Sequence, residues 1–192
     1  MTAEPHLLLA SASPRRHALL RDAGFSFHAR APRVDESVVD GEGAAQYVAR
    51  LAAAKARDVA RRFAGDGADA IVGADTCVAV DGVILGKPAG RTAAAAMLRR
   101  LSAREHRVFT GVHAIAAGRE AAKVCATTVR FTALSDADIS RHLGHGEFTD
   151  KAGAYAIQGR AAPLIADVRG SYTNVIGLPL AELREALAEV MR

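Results

Sequence analysis

Two short apolar runs limit the fold of this chain more than any other feature of its sequence. HLLLA, residues 6–10, contains four consecutive apolar side chains, and AIVGADT, residues 70–76, has five uncharged residues before Asp75. Apolar runs of this length without polar alternation are typical of strands that are buried on both faces of a sheet. The sequence therefore predicts two buried strands, with Asp75 at the end of the second.

Helical and strand patterns alternate along the rest of the chain. Ser13 and Pro14 predict a helix start, residues 44–63 carry apolar side chains at helical spacing, and Asp81-Gly82 is a strong hairpin signal. We therefore expect an α/β fold with a mixed sheet and flanking helices. Further helices are predicted at 91–102, 135–144 and 179–191, and further strands at 25–31 and, joined at Gly118, within 106–134.

The length and composition of the chain fit one globular domain. Its 192 residues can bury a substantial core, and no repeat or linker divides them, so we expect a single domain over 1–192. The formal net charge is +4, but the basic residues are scattered and tryptophan is absent, which argues against a nucleic-acid platform. A small anionic substrate fits this charge balance better.

Targeting signals and cysteine usage indicate a cytoplasmic protein. No apolar stretch approaches the roughly 18 residues that span a bilayer, and the N-terminus lacks the pattern of a signal peptide. Cys77 and Cys125 lie apart in apolar surroundings, which predicts buried free thiols in a reducing compartment. We therefore expect no membrane contact.

Four polar residues follow the first predicted strand closely. Ser11, Ser13, Arg15 and Arg16 lie at the start of the next helix, where free backbone N–H groups and the helix dipole attract anions. Arginine can add bidentate contacts to phosphate oxygens. The alternative is that Ser13 is an ordinary N-cap and that both arginines are exposed. Because cations at a helix N-terminus oppose the dipole, a bound phosphate would remove an unfavourable interaction.

Carboxylates in two places have a chemistry that suits a metal ion or a reacting water. Asp75 ends a predicted buried strand, and Asp35 and Glu36 are adjacent in the loop after the strand predicted at 25–31. Carboxylate oxygens are ligands that Mg²⁺ prefers, and open α/β sheets bind ligands beyond the carboxyl ends of their strands. The alternatives are a surface aspartate that begins a turn and an ordinary acidic loop.

Two of the four lysines lie at positions where the surrounding chain would hold the ammonium group in a defined direction. Lys55 lies among alanines in the middle of the long helix, and Lys87 lies between Gly86 and Pro88 in a stiff turn. A compact ammonium group at either place suits contact with phosphate. For Lys55 the alternative is a packed apolar stem whose charge reaches solvent.

Two further motifs do not indicate a site. GVILGKP, residues 82–88, has three residues between its glycines and ends in Pro88, so it does not match a P-loop. His142 and His145 form an HxxH motif at a predicted helix end. Surface histidines near a helix C-terminus are favoured there over a metal site.

Seven short motifs occur in a characteristic order between Leu7 and about Leu187. They are SASPRR, VDES, LAAAKA, GADT, GKP, YAIQG and GSYTNVIGLPL. In this order and at these intervals they resemble the Maf family of nucleoside triphosphate pyrophosphatases. The resemblance implies an elongated mixed α/β fold with two lobes around a deep cleft, similar to the inosine triphosphate pyrophosphatases.

The resemblance also implies an activity, a cofactor and a partner. The family hydrolyses a nucleoside triphosphate to the monophosphate and pyrophosphate with a divalent metal, Mg²⁺ or Mn²⁺. A nucleotide is then the partner, and a homodimer is compatible with the resemblance. The competing hypothesis is a regulator of cell division that binds nucleotides without turnover. Simple anion binding does not need Glu36 or Asp75, so their presence favours the enzyme.

By the same resemblance, individual residues match positions with known roles. Glu36 and Asp75 match metal-binding carboxylates, and Asp75 also matches the proton acceptor for the attacking water. Whether Asp75 acts as a general base or chiefly orients that water stays open, because a carboxylate beside Mg²⁺ is a weak base. The residues that match phosphate-facing positions are Ser11, Ser13, Arg15, Lys55 and Lys87.

Three residues match positions that are tied to substrate choice. Gln158 matches the position where the dTTP/UTP branch carries glutamine and the 7-methylguanosine triphosphate branch carries glutamate. An amide offers a donor and an acceptor together, which suits the edge of uracil or thymine. Arg16 belongs to SPRR, residues 13–16, where the other branch resembles SPWR, and Thr76 matches the third position. The resemblance therefore implies dTTP and UTP as substrates, with 7-methylguanosine triphosphate as the alternative.

Overall fold

The computed structural model describes residues 5–63, 65–146 and 148–192. Its strands are β1 (His6–Ala10), β2 (Ser26–Ala29), β3 (Ala70–Val80), β4 (Val83–Leu85), β5 (Glu105–Ala116), β6 (Arg119–Phe131) and β7 (Ile165–Arg169). Its α-helices are α1 (Pro14–Asp22), α2 (Ala44–Arg62), α3 (Arg91–Leu101), α4 (Asp136–Gly144), α5 (Tyr172–Ile176) and α6 (Leu180–Val190). Two short 3-10 helices precede β7, at Ala152–Ala154 and Gly159–Leu164. Each predicted helix and strand is present, with ends that differ by a few residues.

The strands form one mixed sheet in the order β2-β1-β3-β5-β6-β7, and β4 pairs with the far end of β3. Strand β1 is parallel to both β2 and β3, whereas the other pairs are antiparallel. Parallel neighbours need a crossover connection, and α1 and α2 supply the connections from β1 to β2 and from β2 to β3. The predicted α/β class with a mixed sheet is confirmed.

The prediction that Asp75 ends a strand is wrong. Strand β3 runs without a break from Ala70 to Val80, so Asp75 lies near its middle. A single carboxylate does not end a strand when the neighbouring strand continues to supply backbone hydrogen bonds, and β5 pairs with β3 on both sides of Asp75. The strand ends only at Asp81 and Gly82, where the backbone turns.

The turn at Asp81-Gly82 and the cap at Ser135 agree with the local sequence, whereas the Ser13 side chain does not cap α1. Asp81 and Gly82 have φ values of 52° and 74°, and positive values at both positions are those of a type I′ hairpin turn. At the start of α4, the Ser135 hydroxyl accepts the N–H of Asp138 at 3.1 Å, and the Asp138 carboxylate accepts the N–H of Ser135 at 3.0 Å. Ser13 occupies the N-cap position of α1 without a capping hydrogen bond from its side chain. The Ser13 hydroxyl therefore does not accept a backbone N–H of α1 as a helix cap.

The hydrophobic core divides along the long strands into two main clusters. One cluster contains Val72 and Ala74 of β3 and packs against α1 and α6, and the other contains Val78 and Val80 and packs against α3 and α4. The division falls where β3 carries polar side chains. Burial of polar groups is costly without partners, so this boundary is where a cleft can open.

Helix α2 lies directly on the sheet because two glycines leave room for it. A Cβ atom at Gly73 would lie 2.2 Å from the carbonyl oxygen of Ala52, and one at Gly111 would lie 2.4 Å from the carbonyl oxygen of Val48. Neither distance is compatible with a side chain, so any larger residue would displace the helix. This close approach brings Lys55, one turn after Ala52, to the middle of β3.

The prediction that His142 lies at the surface is wrong. Its side chain is buried, and its Nε2 lies 2.9 Å from the carbonyl oxygen of Ala154. The helix end is covered by the chain that follows it, which the local sequence does not reveal. His145 is exposed as predicted. Within residues 5–63, 65–146 and 148–192, no group of three or more His, Cys, Asp or Glu side chains could hold a metal ion.

The predicted state of both cysteines is confirmed. Cys77 and Cys125 are free and buried, and burial raises the pKa of both thiols to about 12. Neither thiol is therefore a ready nucleophile at neutral pH. In the described part of the chain, none of the helices has the length and apolar character needed to cross a membrane.

Candidate active site

A gap along one edge of β3 creates the main cleft. Strand β1 pairs with residues 70–73 of β3, and β4 pairs with residues 78–80. Among the described residues, 74–77 have no strand partner on that edge, so side chains from both faces of β3 reach the same opening. The cleft has a volume of about 710 Å³ and begins where β1 ends, which is a position where α/β sheets bind ligands.

The residues assigned to a site from the sequence come together in this cleft. Asp35 is the exception among these carboxylates: its side chain accepts hydrogen bonds from the N–H and hydroxyl of Ser37 at 2.9 and 3.0 Å and does not line the cleft. The residues that do line it are Ser11, Ser13, Arg15, Arg16, Glu36, Lys55, Asp75, Thr76, Lys87 and Gln158.

Lys55 joins two carboxylates inside the cleft. Its Nζ lies 2.6 Å from Asp75 Oδ1 and 2.6 Å from Glu36 Oε1. Lys55 and Asp75 are only 5% and 6% exposed, whereas Glu36 belongs to an exposed loop. Lys87 approaches the same carboxylate from the exposed side, with its Nζ 3.8 Å from Glu36 Oε2. The alternative in which the charge of Lys55 reaches solvent is therefore excluded.

Burial and neighbouring charges act differently on the two carboxylates. Burial raises the pKa of Asp75 above its ordinary value, and the charges of Lys55 and Arg16 oppose this only in part. Burial also acts to raise the pKa of Glu36, but the hydrogen bond and charge of Lys55, with the charge of Lys87, outweigh it and lower that pKa. A carboxylate with a raised pKa is the better proton acceptor, and one with a lowered pKa is the more stable anion.

The loop that carries Glu36 is held to α2 by hydrogen bonds. The Tyr47 hydroxyl donates to the carbonyl oxygen of Glu36 at 3.0 Å. Arg50 donates to both carboxylate oxygens of Glu42 at 2.6 and 2.7 Å and to the carbonyl oxygen of Ser37 at 3.0 Å. These contacts fix the backbone on the C-terminal side of Glu36, so its carboxylate is held toward the two lysines.

The turn after β1 forms another side of the cleft. The Ser11 hydroxyl accepts the backbone N–H of Ser13 at 3.2 Å and an Nη1–H of Arg16 at 3.2 Å. Arg15 is partly exposed, and its Nη1 lies 3.6 Å from the carboxylate of Asp150. Because an exposed pair at this distance is weak, Arg15 can exchange this partner for a bound anion.

Arg16 is buried, so the alternative of two exposed arginines is excluded. Its Nε donates to the carbonyl oxygen of Gly177 at 2.7 Å, and its Nη2 donates to Thr76 Oγ1 at 3.0 Å. Burial lowers the pKa of Arg16, while the charge of Asp75 acts in the opposite direction. Arg16 thereby connects the end of β1 with β3 and with the segment after α5.

Tyr155 anchors the segment that carries Gln158. Its hydroxyl oxygen lies 2.7 Å from Nε2 of His106, and its ring packs edge-on against Phe131. Gln158 itself is exposed and lines the cleft. The amide of Gln158 is therefore accessible to a bound molecule, while the residues before it are held by the core.

Acid is expected to weaken the fold through His106. Burial lowers the pKa of His106 from its ordinary 6.5 to about 4, so between these values the unfolded chain binds a proton that the folded protein excludes. The free energy of unfolding therefore falls as the pH drops from 6.5 to 4, by at most about 3 kcal/mol from this residue. Urea unfolding at about pH 7 and pH 4.5 should show that the stability advantage of the wild type over His106→Gln shrinks in acid. An advantage independent of pH would contradict this expectation.

Comparison with known proteins identifies the family. A family model described as "Maf-like protein" matches residues 6–190. The chain belongs to the Maf family. The cleft of this Maf protein is assembled from segments within the matched region, from the end of β1 to the segment after α5.

Curated relatives match this Maf protein over nearly their full length. A protein of Symbiobacterium thermophilum named dTTP/UTP pyrophosphatase is 49% identical, and the match covers 95% of this chain and 93% of that protein. A protein of Ralstonia nicotianae with the same name is 46% identical, with coverage of 96% and 94%. A third, from Myxococcus xanthus, is 49% identical, with coverage of 92% and 88%.

The Maf site also depends on residues that the sequence pattern does not indicate. Thr110 lies behind Thr76 as its direct cross-strand partner on β5, and Asn174 lies behind Thr110. No local signal separates Thr110 from the other threonines of the long strands. Asn174 lies within the recognised segment GSYTNVIGLPL, so that segment could have pointed to it. The helical spacing of Tyr47 indicates an ordinary apolar position of α2, although its hydroxyl donates a hydrogen bond to the backbone of Glu36.

Proposed function

We propose that this protein is a nucleoside triphosphate pyrophosphatase that hydrolyses dTTP and UTP to the nucleoside monophosphate and pyrophosphate. The observation that carries the proposal is the cluster of Lys55, Asp75 and Glu36, which lies in one cleft with the polar turn after β1. The shared name of the curated relatives supports the same reaction and the same two substrates.

Asp75 is the proposed acceptor of the proton from the attacking water. Hydrolysis cleaves the α–β phosphoanhydride bond: one phosphorus gains the water oxygen, the bridging oxygen leaves with the other phosphorus, and one proton is released. Asp75 is buried beside Lys55, so its carboxylate is held in one place and can orient the water as it takes the proton. Lys55 and Lys87 supply positive charge where the leaving pyrophosphate gains negative charge.

The turn after β1 is the proposed binding site for the triphosphate. The Ser13 hydroxyl is not used as a helix cap, and Arg15 has only a weak partner in Asp150. Both groups are therefore available to phosphate oxygens at the N-terminus of α1. Ser11 is more deeply buried and orients this turn through its bond from Ser13 N–H.

The carboxylates fit a divalent cation of the kind that binds phosphate. Asp75 Oδ1 and Glu36 Oε1 both lie 2.6 Å from the same cationic atom, Lys55 Nζ, so the two carboxylates that would hold the metal lie side by side. The described residues contain no three-ligand metal group, and Mg²⁺ is commonly held by one or two carboxylates together with substrate phosphates and water. When bound, Mg²⁺ or Mn²⁺ would neutralise phosphate charge and acidify a water.

We also infer a cytoplasmic location and a free nucleotide as the partner, without stable contact to nucleic acid or membrane. Buried free thiols suit a reducing compartment. The scattered basic residues supply no continuous surface for a polyanion. The homodimer stays a prediction that size-exclusion chromatography with light scattering would test.

The proposed substrate choice is tested at Gln158. We expect the wild type to release pyrophosphate from dTTP and UTP with kcat/KM at least about ten-fold above that for purine triphosphates. Gln158→Glu should reduce this preference by about ten-fold, because a carboxylate only accepts hydrogen bonds whereas the pyrimidine edge presents acceptors beside its N–H. Release of pyrophosphate with Mg²⁺ is measured for dTTP, UTP, dATP, GTP and 7-methylguanosine triphosphate.

Gln46→Glu is a matched control for this experiment. The Gln46 amide oxygen accepts the N–H of Gly43 at the start of α2, and Gln46 does not line the cleft, so its replacement should leave the preference unchanged. Equal or faster turnover of 7-methylguanosine triphosphate by the wild type would contradict the assigned substrates. Absence of pyrophosphate release from every nucleotide would favour the non-enzymatic regulator.

A further inference from the structure

Two histidine side chains meet at one edge of the sheet, on strands β1 and β2. Nε2 of His6 lies 3.1 Å from Nε2 of His28, and the two rings cross at 71° with their centroids 4.3 Å apart. The parallel register pairs His6 with Ser26 and Leu8 with His28, so both imidazoles project from the same face of the sheet. The contact between them is therefore set by the strand pairing.

Neighbouring groups hold His6 in this position. The backbone N–H of His6 donates to Asp69 Oδ2 at 2.8 Å, and the backbone N–H of Asp69 donates to the carbonyl oxygen of His6 at 2.8 Å. In the side chain, Nδ1 of His6 lies 2.8 Å from Ser26 Oγ. An imidazole that binds a metal ion usually donates its other ring N–H to an oxygen acceptor, which fixes the ring. Ser26 Oγ is placed to accept that hydrogen.

The separation of the two nitrogens matches the spacing of two ligands on one metal ion. An imidazole nitrogen lies about 2.0–2.1 Å from Zn²⁺, so two such nitrogens at an angle of about 90–110° lie about 2.8–3.4 Å apart. The observed 3.1 Å falls within this range. Without a metal ion, one Nε2 must donate a hydrogen and the other must accept it. A metal ion can replace that hydrogen, because a neutral imidazole protonated on Nδ1 offers a lone pair at Nε2.

We propose that His6 and His28 form a binding site for a divalent transition-metal ion of the class of Ni²⁺, Cu²⁺ and Zn²⁺. These ions favour imidazole nitrogen, whereas Mg²⁺ favours oxygen. Water completes the coordination, since the two side chains supply two ligands. The cleft begins at the other end of β1, about 13 Å from His6 at 3.3 Å per residue. The histidine site is therefore separate from the carboxylates of the proposed function and does not depend on it.

A metal ion at this site would join an edge strand to its neighbour. Strand β2 has four residues and is the outermost strand on its side of the described sheet. His28 is exposed and His6 is half-buried, so an ion can reach both nitrogens from solvent. Because the two nitrogens come together only when β1 and β2 are paired, the ion binds the folded state and stabilises it.

Calorimetric titration of Ni²⁺ into the untagged protein tests the proposal. Excess Mg²⁺ is present to compete for oxygen ligands such as the cleft carboxylates. We expect one equivalent of Ni²⁺ to bind the wild type. The affinity should fall by at least about ten-fold in His6→Gln and in His28→Gln, because each variant loses one of the two protein ligands. Ni²⁺ should also raise the melting temperature of the wild type and leave that of both variants unchanged.

His17→Gln is a matched control. The His17 ring packs against Phe27 of β2 with a centroid distance of 5.7 Å, but its Nε2 lies 3.0 Å from the carbonyl oxygen of Ser11. This variant should keep the wild-type affinity for Ni²⁺. Because His28 is exposed on an edge strand, His28→Gln should melt like the wild type without Ni²⁺ and keep its rate of pyrophosphate release with Mg²⁺. His28→Ala provides the same test if His28→Gln does not fold.

Three results would overturn the histidine site. The wild type could bind no Ni²⁺ under these conditions, or the folded His6→Gln and His28→Gln variants could keep the wild-type affinity. An equal loss of affinity in His17→Gln would place the ion elsewhere and refute the site as well. Pyrophosphate release from dTTP and UTP tests the proposed function separately, so failure of one proposal leaves the other standing.

Discussion

Asp75→Asn is expected to lower kcat for pyrophosphate release by about 10³-fold or more while the protein stays folded. The amide nearly matches the carboxylate in shape, but it cannot take a proton from water and is a poor ligand for a divalent cation. Lys55 keeps Glu36 as a partner at 2.6 Å, so the substitution leaves no isolated buried charge. Steady-state kinetics and thermal melting are measured on the same preparation.

Asp35→Asn is the matched control for this substitution. Asp35 is the sequence neighbour of Glu36, but its carboxylate is bonded to Ser37 and lies outside the cleft. Its replacement is expected to leave kcat within about three-fold of the wild type. If Asp75→Asn melted like the wild type and kept most of its rate, Asp75 would not be the proton acceptor.

Lys55→Met is expected to reduce both activity and stability. Methionine keeps an apolar stem of similar length and removes the charge that Asp75 and Glu36 share. The nearly buried Asp75 carboxylate then loses its ion pair, which typically costs about 3–5 kcal/mol in free energy of unfolding. The activation free energy should rise by about 2–4 kcal/mol, the effect of one lost preorganised charge. Urea unfolding and steady-state pyrophosphate release measure the two effects separately.

Lys87→Met separates the electrostatic role from the structural one. The Lys87 side chain is 62% exposed and its Nζ lies 3.8 Å from Glu36, so this pair contributes little to stability. For Lys87→Met we expect a loss in kcat/KM comparable to that of Lys55→Met and an unchanged free energy of unfolding. A stable Lys55→Met variant would refute the buried ion pair, and wild-type kinetics for Lys87→Met would refute its contact with the triphosphate.

Local interactions made much of the fold predictable from the sequence. The apolar run HLLLA, the helical spacing of residues 44–63 and the turn at Asp81-Gly82 each act over a few neighbouring residues, and all three elements are present. The order of seven motifs also led to the residues that line the cleft. The limit of such reasoning appears at Asp75: a charge after an apolar run predicts a strand end, but β3 continues to Val80.

The sequence by itself determined most of the helices and strands, though not β7 and α5, together with the mixed α/β class and the identity of the polar residues that the cleft needs. Only the tertiary structure decided that Asp75 lies within a continuous strand, that Lys55 is buried between two carboxylates, and that Thr110 stands behind Thr76. These contacts join residues that are 19 to 34 positions apart. The register of β3 on β5 and the close approach of α2 at Gly73 create them. The strand register and the helix approach both depend on packing between segments that are distant in the sequence, so no local pattern of residues predicts them.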